Sequence, residues 1–173
     1  MWFLSLHAAW AATLQVPGAY PTVVEALEAS APGDEVVVGP GVWDGPFVVP
    51  HTLTLRGYGE ATVLRADEEA EGEEVLEFEG PGDLTLEQLL IDGEGAVRGI
   101  DVVSAHLTLV DVRLIRGTRE GNGGNLRLRE GATATAERAV FLDGSAINGG
   151  NVAVYGGSFS CTDCVLRGGV AGR

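Results

Sequence analysis

Three kinds of short motif return along this chain at intervals of 23–27 residues, and that repetition constrains the fold more than any other feature. Leu53-Thr54-Leu55, Leu84-Thr85-Leu86 and Leu107-Thr108-Leu109 are followed by the degenerate copies Ala134-Thr135-Ala136 and Phe159-Ser160-Cys161. A few residues after each of the last four come two apolar residues, a charge and Gly, with the charges at Asp92, Arg116, Asp143 and Arg167. The third motif is NGGN, which begins at Asn122 and again at Asn148, 26 residues on. An eroded copy, Arg98-Gly99-Ile100-Asp101-Val102, lies 26 residues before the first.

Each unit reads as two or three short strands joined by Gly, Asn and Asp turns. The period is too short for a propeller blade of about 40–45 residues. It holds no helix signal for a βαβ or TPR unit, and it lacks the frame of a leucine-rich repeat. What remains is a coil in which each strand pairs in parallel with its equivalent one turn on, about 4.8 Å away. Stacking like on like explains why Leu, Thr and Gly recur in register. The expected fold is all-β, a right-handed parallel β-helix (solenoid) with a short N-terminal capping helix.

The helix is read from Val23, Val24, Ala26, Leu27 and Ala31, which fall at helical spacing between Pro21 and Pro32-Gly33. Residues 1–11 read as an export signal: the stretch is apolar and ends in Ala9-Trp10-Ala11, a small-x-small cleavage pattern. It carries no Lys or Arg, so a misplaced start or a core-capping strand is the alternative. Residues 12–34 then form the cap, and 35–173 form about six turns, a rod roughly 30 Å long. The chain stops as a turn begins, so further turns or a capping partner are expected at that end. Secretion, the periplasm or the cell surface is the expected location.

Charge narrows the partners. The 25 acidic residues against 11 basic ones, all Arg, give a net charge of −14. That excludes a nucleic-acid backbone or an anionic membrane as the main partner. No apolar run reaches the roughly 18 residues of a membrane span.

Several groups carry chemistry in principle, and each has a structural reading. Asp92, Arg116, Asp143 and Arg167 alternate in sign, as do Gln88, Asp111, Arg138 and Asp163 less strictly. Stacked in a coil, such columns become ladders of ion pairs on a solvated face, each pair worth about 0–1 kcal/mol. The competing reading is a substrate groove. Asn125 and Asn151 fall at equivalent turns and read as a hydrogen-bonded Asn ladder, with carbohydrate contact as the alternative. Asp67 to Glu79 carries eight acids and no base, and the Leu-Thr-Leu spacing across it is 31 rather than 23. This is an acidic insertion. Cys161 and Cys164 read as a local disulfide, with stacked core thiols as the alternative. The three His are scattered and no G-x-S-x-G pattern accompanies them, so no catalytic residue and no bound cofactor are assigned.

The stretch from Thr22 through Val49, with Pro32-Gly33-Asp34, Pro40-Gly41 and Trp43, resembles the opening of pectin-lyase-like β-helix proteins. The NGGN and apolar-charge-Gly units are similar to repeats of polymorphic outer-membrane-type surface proteins, although Asp or Arg stands here where that family favours Asn. The resemblance covers residues 20–173 and implies architecture before activity, because this fold hosts lyases, hydrolases, adhesins and inert spacers. Lyases of this fold use Ca²⁺, which makes Glu68, Glu69, Glu71, Glu73 and Glu74 calcium candidates. A dedicated calcium loop would alternate Asp, Asn and Gly, and this run does not. The expected function is a non-catalytic surface module, a stalk, adhesin or carbohydrate-contacting repeat. The alternative is a polysaccharide lyase or hydrolase.

Overall fold

The computed structural model describes residues 11–67 and 74–172. Strand β1 (Thr13–Val16) opens the stack and is followed by helix α1 (Val23–Ala29). The first turn comprises β2 (Glu35–Val38), β3 (Gly41–Gly45) and β4 (Phe47–Val49), and the second β5 (Leu53–Arg56), β6 (Thr62–Ala66) and β7 (Glu74–Glu79). The third holds β8 (Asp83–Glu87), β9 (Leu90–Asp92) and β10 (Arg98–Val103). The fourth holds β11 (His106–Val110), β12 (Arg113–Ile115), β13 (Thr118–Asn122) and β14 (Leu126–Arg129). The fifth adds β15 (Thr133–Glu137), β16 (Val140–Leu142), β17 (Ser145–Asn148) and β18 (Val152–Val154). The last contains β19 (Ser158–Thr162), β20 (Val165–Arg167) and β21 (Val170–Ala171).

Every strand pairs in parallel with its equivalent in the neighbouring turns, so the chain is a parallel β-helix of about six turns. The walls are a seven-stranded sheet (β1-β2-β5-β8-β11-β15-β19), a six-stranded sheet (β3-β6-β9-β12-β16-β20) and a five-stranded sheet (β4-β7-β10-β14-β18). A small sheet of β13, β17 and β21 appears in the later turns. Of the acidic stretch, Glu74, Glu77 and Glu79 belong to β7, and residues 68–73 lie outside the described residues.

The triplets set the register. Leu84 lies opposite Leu53 and Leu107, and Leu107 opposite Ala134. The strand alternation sends both Leu of each triplet inward, where they are at most 2% exposed, and turns the central Thr out. Side-chain volume is balanced within a turn rather than along a column. Ala134 and Ala136 are small, and the same turn places Phe141 in the core, with its ring edge-to-face on Phe159 at 5.7 Å.

Corners are made by residues in the left-handed region. Gln88, Asp111, Arg138 and Asp163 all have φ of 51–54° and turn the chain from the seven-stranded into the six-stranded sheet. Glycine is required where turns approach most closely. A Cβ on Gly117 would collide with the Gly124 carbonyl and reach Asn125 Oδ1, both on the same turn.

Helix α1 closes the first end. Val23, Ala26 and Leu27 are buried against the start of the coil. Its N-cap is Thr22, whose Oγ1 accepts the Glu25 N–H at 3.2 Å, and Ser30 Oγ donates to Leu27 O at 2.7 Å. The helix stops at Ala29, so Ala31 lies beyond it. Thr22→Ala is expected to cost about 1 kcal/mol in denaturant unfolding. At the far end Val165 and Leu166 are 49% and 50% exposed.

Candidate functional site

The four charges before Gly do not form one column. Arg116 and Asp143 occupy equivalent left-handed corners, at φ 53° and 52°. Asp92, however, lies opposite Ile115, and Arg167 opposite Leu142, one residue earlier in each case. The cause is the corner residue. In the last turn Gly168 itself takes the left-handed position, and in the third turn Glu94 and Gly95 do, so Asp92 and Arg167 stay within their strands. The Arg116 guanidinium still reaches back to Asp92, with Nε 3.0 Å from Oδ1 and Nη2 on Oδ2. The corner column behaves differently: Arg138 grips Asp111 through two bonds of 2.7 and 2.9 Å. These bonds lower the Asp111 carboxyl below its usual range and raise Arg138 above that of arginine.

Asn125 and Asn151 stack. Asn125 Nδ2 donates to Asn151 Oδ1 at 2.8 Å and to Leu142 O at 2.9 Å, while its Oδ1 accepts the Gly117 N–H at 2.7 Å. Asn151 repeats the pattern with Gly144 N and Arg167 O, both at 3.1 Å. Each buried side chain therefore closes a turn whose glycines leave backbone groups without side-chain cover. Cys161 and Cys164 are joined as a disulfide.

The most concentrated chemistry lies elsewhere, on β7, β10 and β14 of the five-stranded sheet. Asp101 pairs opposite Glu77 on one side and Arg127 on the other. Its side chain is 1% exposed. Oδ1 accepts from Arg127 Nε at 2.7 Å, and Oδ2 from Arg127 Nη2 at 2.6 Å and Arg129 Nε at 3.1 Å. Burial pushes the Asp101 carboxyl up, but the bonds and charge of Arg127, with Arg129 and Arg98, outweigh it and hold the group below the usual carboxylate range. Three residues earlier on the same strands, the fully buried Arg98 donates to Glu74 Oε2 at 2.9 Å and to Gly123 O at 3.0 Å. Burial, then the neighbouring Arg127, pulls Arg98 below the ordinary arginine value.

Sequence reading missed this cluster, although its signal was present. The 26-residue offset that joins the eroded Arg98-Gly99-Ile100 copy to NGGN also sets Asp101 over Arg127.

Of the calcium candidates, Glu68, Glu69, Glu71 and Glu73 lie outside the described residues. Glu74 is the first residue of β7. Oxygens of Glu74, Glu77 and Asp101 lie within 4.8 Å of one another, a spacing a hard cation can use. Guanidinia already occupy both oxygens of Asp101 and one of Glu74, so this donor set does not fit Ca²⁺ without displacing them.

The histidines act as struts. His51 Nε2 is 3.3 Å from Ser30 Oγ, but also 2.9 Å from Ser30 O, and Ser30 Oγ is committed to Leu27 O. The pair ties the end of α1 to the turn before β5. His106 Nδ1 bonds Thr133 Oγ1 at 2.8 Å on the next turn. His7 lies outside the described residues. Among the described residues no helix is long and apolar enough to cross a membrane.

No protein-family model matches this chain, and no curated protein matches it. Among solved structures it is similar to a pectin methylesterase mutant in complex with hexasaccharide IV, with TM-score 0.52 and 13% identity over 80% of this chain and 55% of that one. It is also similar to a pectin methylesterase in complex with hexasaccharide VII, with TM-score 0.54 and 11% identity over 87% of this chain and 66% of that one. The chain thus spans between about half and two thirds of the length of these neighbours. At such identities the likeness establishes a pectin-lyase-like parallel β-helix fold, which closes the question of architecture and leaves activity to the residues.

Proposed function

We propose that the chain is a secreted or surface-displayed β-helix module that contacts carbohydrate without transforming it, through the outer face of the five-stranded sheet. The observation that carries the non-catalytic part is the state of Asp101. A general base or nucleophile must reach its substrate. Asp101 is buried, and both of its oxygens are held by Arg127 and Arg129. The β-helix neighbours are in complex with hexasaccharides, which supports carbohydrate as the partner class. The disulfide supports an oxidising compartment, and the surface-protein-like NGGN repeats support display at the cell surface.

One observation favours a second reading, a carbohydrate hydrolase or lyase. Glu77 approaches Asp101 with carboxylate oxygens inside 4.8 Å, and paired carboxylates in unlike environments divide acid and base roles. Incubation with polygalacturonate and its methyl ester, with and without Ca²⁺, separates the two. Neither polymer should show acid release, chain scission or unsaturated product. Turnover that disappears in Glu77→Gln would establish the enzyme instead.

A further inference from the structure

The charged cluster does not account for the apolar end of the same face. Its outward column runs Val48, Glu77, Asp101, Arg127 and Ala153 from the first turn to the fifth. Val48 begins it and is 61% exposed. Beside Val48 lies an open pocket of about 460 Å³, walled by Pro46 and Pro50 and by Val24 and Leu27 of α1. That volume lies within the range of small-ligand sites. The two prolines carry no N–H, so with Val48 they offer methyl and ring C–H groups, while Ser30 and His51 supply the polar part of the lining.

Its rim is acidic. Glu28 lines the pocket, and Glu77 lies opposite Val48 on the next strand, about 4.8 Å along the axis. Among the described residues neither carboxylate is in an ion pair. The whole chain adds a net charge of −14, a field that repels anions and gathers cations.

We propose, resting on the carbohydrate reading above, that this shelf takes a cationic glycan, a segment of unacetylated amino sugars. The C–H face of a pyranose ring lies on Val48 and the prolines, and the ammonium groups meet Glu28 and Glu77 in charge-assisted bonds. A uronic-acid polymer would bring its carboxylates against those same acids.

The test is calorimetric titration of the full chain with three probes: a glucosamine hexamer, an N-acetylglucosamine hexamer and hexagalacturonate. The glucosamine hexamer should bind at least about tenfold more tightly than either of the others, with affinity falling as salt rises. The double variant Glu28→Gln, Glu77→Gln should lose about tenfold or more, while Glu137→Gln, on the outer face of the seven-stranded sheet, should change binding by less than about twofold. Equal losses from the two substitutions would reduce the effect to diffuse charge and overturn the proposal. Preferred binding of the acetylated or uronic hexamer would overturn it while leaving the carbohydrate reading intact. Failure of all three hexamers to bind would overturn both.

Discussion

Replacing Asp101 with alanine is expected to destabilise the fold by about 3–5 kcal/mol, since it strips the counter-charge from the partly buried Arg127 and Arg129 and from the field around the fully buried Arg98. Asp101 is 1% exposed, and Arg127, Arg129 and the fully buried Arg98 surround it. The loss would appear as a lower denaturant midpoint at neutral pH. The same residue sets an acid limb. Its carboxyl lies lower in the folded chain than the unfolded value of about 3.9. The stabilisation it supplies is therefore complete above that pH and disappears as pH falls through the lower, folded value. A pH series of urea midpoints should show this limb in the parent chain and a shallower one in Asp101→Ala. A midpoint unchanged by the substitution would mean that the cluster is solvated and contributes nothing.

Asn125→Ala is the second large effect, at about 1–3 kcal/mol, because the buried Gly117 N–H loses its partner. Gly117 N–H has the Asn125 amide as its partner, whereas Leu142 C=O also accepts the Arg116 N–H at 3.0 Å and keeps it. The bond to Asn151 is lost as well. Hydrogen exchange should show the Gly117 amide losing protection first, before global unfolding. Asn125→Asp keeps the acceptor for Gly117 but sets a second carboxylate oxygen against Leu142 O and Asn151 Oδ1, so at neutral pH it should destabilise at least as much as Asn125→Ala.

What was legible in the sequence follows from what a parallel stack repeats. Leucine packs on leucine and asparagine bonds to asparagine, so Leu84 over Leu107 and Asn125 over Asn151 leave repeated letters at a fixed period. A charge is stabilised by the opposite sign in the next turn rather than by its own kind. Asp101 over Arg127 is an equally regular column, but its letters differ at each step and no repeated motif marks it. The column at Asp92, Arg116, Asp143 and Arg167 was misplaced for a related reason. Its repeated glycines suggest fixed points in the sequence, whereas the structure fixes the corner, and in the last turn the corner residue is Gly168. Burial of Arg98 depends on carbonyls 24–25 residues away in the next turn, a contact that no local pattern announces. The pocket beside Val48 arises from α1 overhanging β4, a tertiary arrangement that neither segment carries alone.

All of these effects depend on successive turns lying in parallel register, and the nuclear Overhauser pattern of the Leu-Thr-Leu strands reads that register directly. Cross-strand contacts between α-protons and amides should connect Leu84-Thr85-Leu86 to Leu107-Thr108-Leu109, and these in turn to Ala134-Thr135-Ala136, in the spacing of parallel pairs. Close α-proton pairs across neighbouring strands, the mark of antiparallel hairpins, or no contact between these triplets, would contradict the coil.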